Sequence, residues 1–167
     1  VGAKNRQMLT GQMLTGLLIA LVIFAIDQAS KWAILSEIMI PPDHMVIEIT
    51  SFFNLALVWN YGISFGIFAG QRQPVLLIVM ATAIVSVLLV WLYRNTSPLV
   101  TWALGLVIGG AIGNIVDRLR FGAVVDFLDF HIGGYHWPAF NVADSSIFIG
   151  VVLLCVSSMV GERENKA

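Results

Sequence analysis

Four long apolar stretches organise this chain, and its polar residues fall at a few fixed places between and inside them. The first covers about residues 15–35 and is interrupted by Asp27 and Lys31; the second, 75–93, carries no charge, follows Pro74 and ends at Arg94-Asn95. The third covers about 99–116 and the fourth 145–160. A helix needs about 20 apolar residues to cross a bilayer core, with a range near 17–25, so the pattern predicts four transmembrane helices. Pro74 suits a first helical turn, where a missing N–H does no harm.

Between the first and second stretches, about residues 36–73, the pattern changes. The runs 44–50, 52–59 and 63–68 are short and rich in Val, Ile and Phe, broken by Ser51, Asn60-Tyr61-Gly62 and Gly70. They predict a small strand-bearing element. A lone hairpin is marginal in water, so this element is expected to rest on the bundle and the outer leaflet. Trp32, Trp59, Tyr61, Tyr135 and Trp137 would anchor it at the interface.

Composition supports a membrane protein: 58% of residues are hydrophobic and 11% charged, against about 25% charged in soluble domains. The length of 167 residues suits one integral-membrane domain over 1–167. A net charge of −1 with no basic block argues against a nucleic-acid partner. Cys155, the only cysteine, lies in an apolar span and is expected to be a buried, inert thiol. Lys4 and Arg6 before an apolar run resemble a signal peptide, but the run meets Asp27-Gln28-Ala29-Ser30-Lys31 without a small-residue cleavage pattern and reads as a retained span. The tandem Gln-Met-Leu-Thr-Gly at 7–11 and 12–16 is set aside from the fold reading. Four crossings put both termini on one side. With the Arg94 loop the termini balance to +3, against −4 on the other side. The termini are therefore expected in the cytoplasm.

Two acids change the picture most. Asp126 and Asp144 sit in apolar surroundings between the last two spans, and intramembrane acids default to a functional reading. Two such carboxyls close together can share one proton, the arrangement behind aspartic-protease chemistry. Asp144 also has a plainer reading as a helix cap, since Asn141-x-x-Asp144 faintly resembles a capping arrangement. However, the 16 residues from Ser145 to Val160 reach only roughly 24 Å into a core of about 30 Å, which puts Asp144 below the outer surface. Asp27 and Lys31, spaced i, i+4, can pair on one helix face, either as a structural pair or as part of a site. Gly105, Gly109 and Gly113 permit close helix approach. Asp117 continues that stripe, which makes it a candidate structural acid paired with Lys31 or Arg118. His131 and His136 lie near Asp129 but match no zinc pattern, so no metal is expected. The lone thiol has no base nearby in sequence.

With these residues in view, the chain resembles the lipoprotein signal peptidase family, also called signal peptidase II. The match runs through Asp27-Gln-Ala-Ser-Lys31, Trp59-Asn60-Tyr-Gly62-Ile-Ser-Phe-Gly66 and Gly109-Gly-Ala-Ile-Gly-Asn114-Ile-Val-Asp117-Arg118. It continues in Val125-Asp126-Phe127 and Phe140-Asn141-Val-Ala-Asp144-Ser145. The resemblance implies a mainly α membrane fold of four transmembrane helices with cytoplasmic termini and a small β-cradle on the outer face. It implies an aspartic endopeptidase of the bacterial inner membrane, without a cofactor, acting as a monomer on diacylglyceryl-modified prolipoprotein presented in membrane lipid. Asp126 and Asp144 would be catalytic. Asp27, Lys31, Asn60, Gly62, Asn114, Arg118 and Asn141 would bind substrate or support the site. Ile63-Ser64 departs from the small residues many members carry there. A small ion conductor would also place acids inside a bundle, and a non-catalytic lipoprotein chaperone is a third class. Conduction predicts acids at successive depths, whereas proteolysis predicts two converging at one depth. Asp126 and Asp144 both map to the outer end.

Overall fold

The structure, a computed structural model, describes residues 2–38, 45–62 and 74–164. Among the described residues, four helices are long and apolar enough to cross a membrane. Helix α1 spans Ala3–Ala33 and continues as a π-helical turn over Ile34–Ile38. Helix α2 spans Pro74–Arg94, α3 Pro98–Phe121 and α4 Val142–Glu164. The tandem segment set aside above is therefore part of α1. Helix α3 starts with Pro98 after Ser97 and stops at Gly122, whose φ of +71° suits a glycine and whose N–H bonds Arg118 O at 3.0 Å.

Helix α3 is the centre of the bundle and packs against each of the other three. Its glycines make this possible. A Cβ on Gly109 would come 2.6 Å from Ala20 O, and one on Gly105 would come 2.8 Å from Gly16 O, so α1 lies against that stripe. Gly110, one residue round, faces Ala143 and Ser146 of α4. Ala20, Val85, Leu92, Val100, Leu104 and Ile108 fill the space between helices. The outer faces stay apolar and exposed, as at Leu21, Val75 and Phe148; a membrane-spanning bundle needs such a surface against lipid. Cys155 lies on one of these faces. It is exposed, contrary to expectation, because α4 buries mainly the side that meets α3.

A four-stranded antiparallel sheet caps one end of the bundle, in the order β1 (Val46–Thr50), β2 (Phe53–Asn60), β3 (Val124–Ile132), β4 (Tyr135–His136). Two strands agree closely with the runs 44–50 and 52–59, while 63–68 lies outside the described residues, as does the Ile63-Ser64 departure. The sheet is not confined to 36–73, because β3 comes from the segment between α3 and α4. It pairs with β2 through Val58↔Asp126, Trp59↔Val125 and Asn60↔Val124. That third strand answers the instability of a lone hairpin, and Ile34, Leu57, Val125 and Phe127 form a second core beneath it. Trp32, Tyr61, Tyr135 and Trp137 are exposed around this end. Trp59 instead packs edge-on against Phe121, with ring centroids 5.5 Å apart.

Candidate active site

Where the sheet meets the bundle, the chain brings every site residue named above into one connected polar network. Asp126 is carried by β3 beside Asn60 at the end of β2, and Asp144 by the first turn of α4. Asn141, just before α4, reaches both. Its Nδ2 donates to Asp126 Oδ1 at 2.7 Å, and its Oδ1 accepts the backbone N–H of Asp144 at 2.9 Å. Asp144 Oδ2 returns the cap by accepting the Asn141 N–H at 3.3 Å. This reciprocal box follows capping logic, so Asp144 is both a cap and a member of the paired-acid site. Because Asn141 caps it, α4 begins at Val142, three residues before the expected 145.

Three asparagines present their amides in one sense. Asn60 Nδ2 donates to Asp126 Oδ2 at 3.0 Å while its Oδ1 accepts the Gly62 N–H at 3.1 Å. The turn needs Gly62, whose φ of +157° side-chain-bearing residues rarely adopt. Asn114 Nδ2 donates to Asp144 Oδ1 at 2.8 Å, and its Oδ1 accepts Lys31 Nζ at 3.1 Å. Each amide oxygen is held by a donor that cannot accept, so each NH₂ is turned toward a carboxylate.

Behind this layer lies a buried ion triad. Lys31 Nζ stands 2.8 Å from both Asp27 Oδ2 and Asp117 Oδ2, and all three side chains are almost wholly buried. Of the two partners left open for Asp117, the geometry selects Lys31. Asp117 Oδ2 also accepts the Val125 N–H at 3.2 Å, next to Asp126 in sequence. Asp27 Oδ1 accepts the Ala143 N–H at 2.9 Å, so α1 caps α4 across the bundle. Gly113 leaves the room that the Asp27 carboxylate fills. Buried ions persist when paired and hydrogen-bonded, and removing one partner is costly. Arg118 Nη1 donates to Asn114 O at 3.2 Å, and its Nε is buried without a hydrogen-bond partner among the described residues.

Asp126 is 2% exposed. Burial, and then the like charge of Asp144, push its carboxyl up to about 7; the amides of Asn60 and Asn141 and the charge of Lys31 pull the other way. A carboxyl poised near neutrality can carry a proton where its neighbour does not.

Gln28 was not singled out in the sequence, yet its Nε2 lies within hydrogen-bond reach of Asp27, Asp117 and the Gly113 carbonyl, at 3.2, 3.0 and 3.4 Å. The Asp27–Ala143 bond was also invisible, because the partners stand 116 positions apart. His131, His136 and Asp129 form a separate cluster on the sheet: His136 Nδ1 lies 2.9 Å from Asp129, and the two rings stack with centroids 4.8 Å apart.

A four-helix membrane bundle with two carboxyls gathered at one end, one of them poised near neutral pH, defines a membrane enzyme of the aspartic-peptidase class. A family model described as signal peptidase (SPase) II matches residues 19–160, and the chain belongs to that family. A lipoprotein signal peptidase of Rhodopseudomonas palustris (strain TIE-1) is 48% identical over 91% of this chain and 96% of its own length. One from Desulforapulum autotrophicum is 42% identical over 81% and 86%. A solved bacterial membrane enzyme superposes with a TM-score of 0.77 at 31% identity, covering 92% of each chain.

Proposed function

We propose that this multi-pass bacterial membrane protein removes the signal peptide from prolipoproteins, cutting just before the diacylglyceryl-modified cysteine, with Asp126 and Asp144 as its catalytic carboxylates. The observation that carries this reading is the single side chain of Asn141, which bonds the Asp126 carboxylate and the backbone N–H of Asp144, in a chain of the signal peptidase II family. One carboxylate takes a proton from water as the water oxygen attacks the scissile carbonyl carbon. The other, protonated, donates to the carbonyl oxygen. Collapse of the tetrahedral intermediate breaks the C–N bond as the proton drawn from water passes to the leaving nitrogen, and a hydroxyl of the intermediate returns its proton to the carboxylate that had donated.

Around the pair, Asn60, Gly62, Asn114, Arg118 and Asn141 orient the acids and the substrate backbone, Asp27 and Lys31 support them from behind, and Asp117 is structural. The protein acts as a monomer in the inner membrane with its termini in the cytoplasm and the site toward the outer leaflet. The acyl chains of the substrate stay in lipid while its cleavage site meets the pair. Acyl burial is worth about 0.8 kcal/mol per methylene, enough to concentrate and orient the substrate. Purified protein in bilayers, given diacylglyceryl-modified and unmodified precursors, should cleave only the former at an appreciable rate. Equal cleavage of both contradicts the reading.

A further inference from the structure

Acids sharing a polar cage need something that distinguishes them, and the donors around Asp126 and Asp144 differ in what holds them. The Asn60 and Asn141 amides that face Asp126 are oriented by backbone N–H groups. The Asn114 amide that faces Asp144 is oriented by a charge, the Lys31 ammonium 3.1 Å from Asn114 Oδ1, with Asn141 Nδ2 a second, neutral donor to the same oxygen at 3.3 Å. An ammonium has donors only, so Asn114 cannot turn its NH₂ toward Lys31 without placing donor against donor. Lys31 itself is fixed by Asp27 and Asp117 at 2.8 Å each. Asp27 acts on the same element from a second direction, through the N–H of Ala143 next to Asp144.

We propose that Lys31 is a positioning residue for Asp144: by holding the Asn114 carbonyl it aims the Asn114 N–H at Asp144 Oδ1. The proposal rests on the reading of Asp126 and Asp144 as the catalytic acids. Three features set the surroundings of Asp144 apart from those of Asp126. Asp144 sits in the first turn of α4, where the helix dipole stabilises an anion. It is less buried than Asp126. It also accepts both the Asn114 amide and the Asn141 N–H. The charged groups around the pair are Arg118 on α3 and the Asp27–Lys31–Asp117 triad of α1 and α3. Asp126 is enclosed and faces the Asp144 charge, which favours its neutral form.

A double-mutant cycle on kcat tests this, with cleavage of a diacylglyceryl-modified precursor measured for Lys31→Met, Asn114→Ala and the pair. A group that orients a functional ligand typically contributes 10- to 100-fold. Lys31→Met should therefore lower kcat roughly 10- to 100-fold with KM within about threefold, but cost less than about threefold more when Asn114 is already Ala. Asn114→Asp serves even where Lys31→Met does not fold. It keeps an acceptor for Lys31 but replaces the N–H that faces Asp144 Oδ1 with a carboxylate oxygen, and kcat should fall at least as far. Equal losses from Lys31→Met in both backgrounds, or a fully active Asn114→Asp, overturn the proposal while the catalytic reading stands. Wild-type cleavage that survives Asp144→Asn overturns that reading, and the proposal with it.

Discussion

Asn141 Nδ2 lies 2.7 Å from Asp126 Oδ1, and this contact, with its bond to Val125 O at 3.2 Å, helps tie the sheet to the start of α4. The same side chain caps Asp144, so replacing it disturbs stability and chemistry together. Asn141→Ala should cost about 1 kcal/mol as a lost helix cap and lower kcat by roughly 10- to 100-fold as a lost orienting group. Thermal melting in detergent and lipopeptide cleavage read the two effects separately. A variant with full activity would show that the bridge between the acids is dispensable.

Asp126 makes stability depend on pH in a stated direction. With its carboxyl raised from 3.8 to about 7 in the folded protein, folded and unfolded chains both hold the proton below about pH 4. From there to about 7 the unfolded chain releases it and the folded one does not, so stability falls as pH rises, by at most about 4 kcal/mol for three units. Asp126→Asn removes that slope. Its melting temperature relative to wild type should climb between pH 4.5 and pH 8; a constant difference would mean that the acid is not strained in the fold.

Asp117→Asn should act mainly on stability. It leaves Lys31 with one acid instead of two, and breaking a buried pair costs about 3–5 kcal/mol in general. The amide oxygen can still accept the Val125 N–H. Melting should drop clearly, while the folded fraction cleaves within about tenfold of wild type, the lower end of what an orienting group contributes. An inactive, fully stable Asp117→Asn would move this residue into the chemistry.

Much of the fold was legible because apolar length and glycine spacing are local signals. The four spans, the strands 44–50 and 52–59, and the stripe Gly105–Gly109–Gly113 all follow from short-range pattern. Strand β3 lies outside the three strand runs read between the first two spans, although its sequence carries a strand signal. Val-Val-Asp-Phe-Leu-Asp-Phe-His-Ile ahead of Gly133-Gly134 carries β-branched and aromatic residues and a turn, which together signal a hairpin. The candidate residues were named from the family resemblance and from burial cost, and the structure joins them in one network. What sequence could not supply is the pairing across the chain: Asp27 to Ala143, Lys31 to Asn114, Asn60 to Asp126. Those bonds depend on helix packing, and Cys155 failed for the same reason, since an apolar span alone does not say which side meets lipid.

The glycine stripe supplies a test of that packing. Gly109→Ala would put a methyl 2.6 Å from Ala20 O, a backbone atom that cannot turn away, and overpacking of this kind costs about 1–3 kcal/mol. Gly11 meets nothing within 4 Å, so Gly11→Ala should be neutral or slightly stabilising. Equal melting temperatures for the two variants would deny that α1 lies against α3 as described.

The most direct test of the account is cleavage of a diacylglyceryl-modified prolipoprotein by purified, folded wild type, Asp126→Asn and Asp144→Asn. Asparagine keeps the shape of each side chain but cannot exchange the proton. Wild type should release the signal peptide, and each variant should melt as a folded protein yet show no cleavage above background. Cleavage at near wild-type rate by either variant would contradict the two-aspartate mechanism.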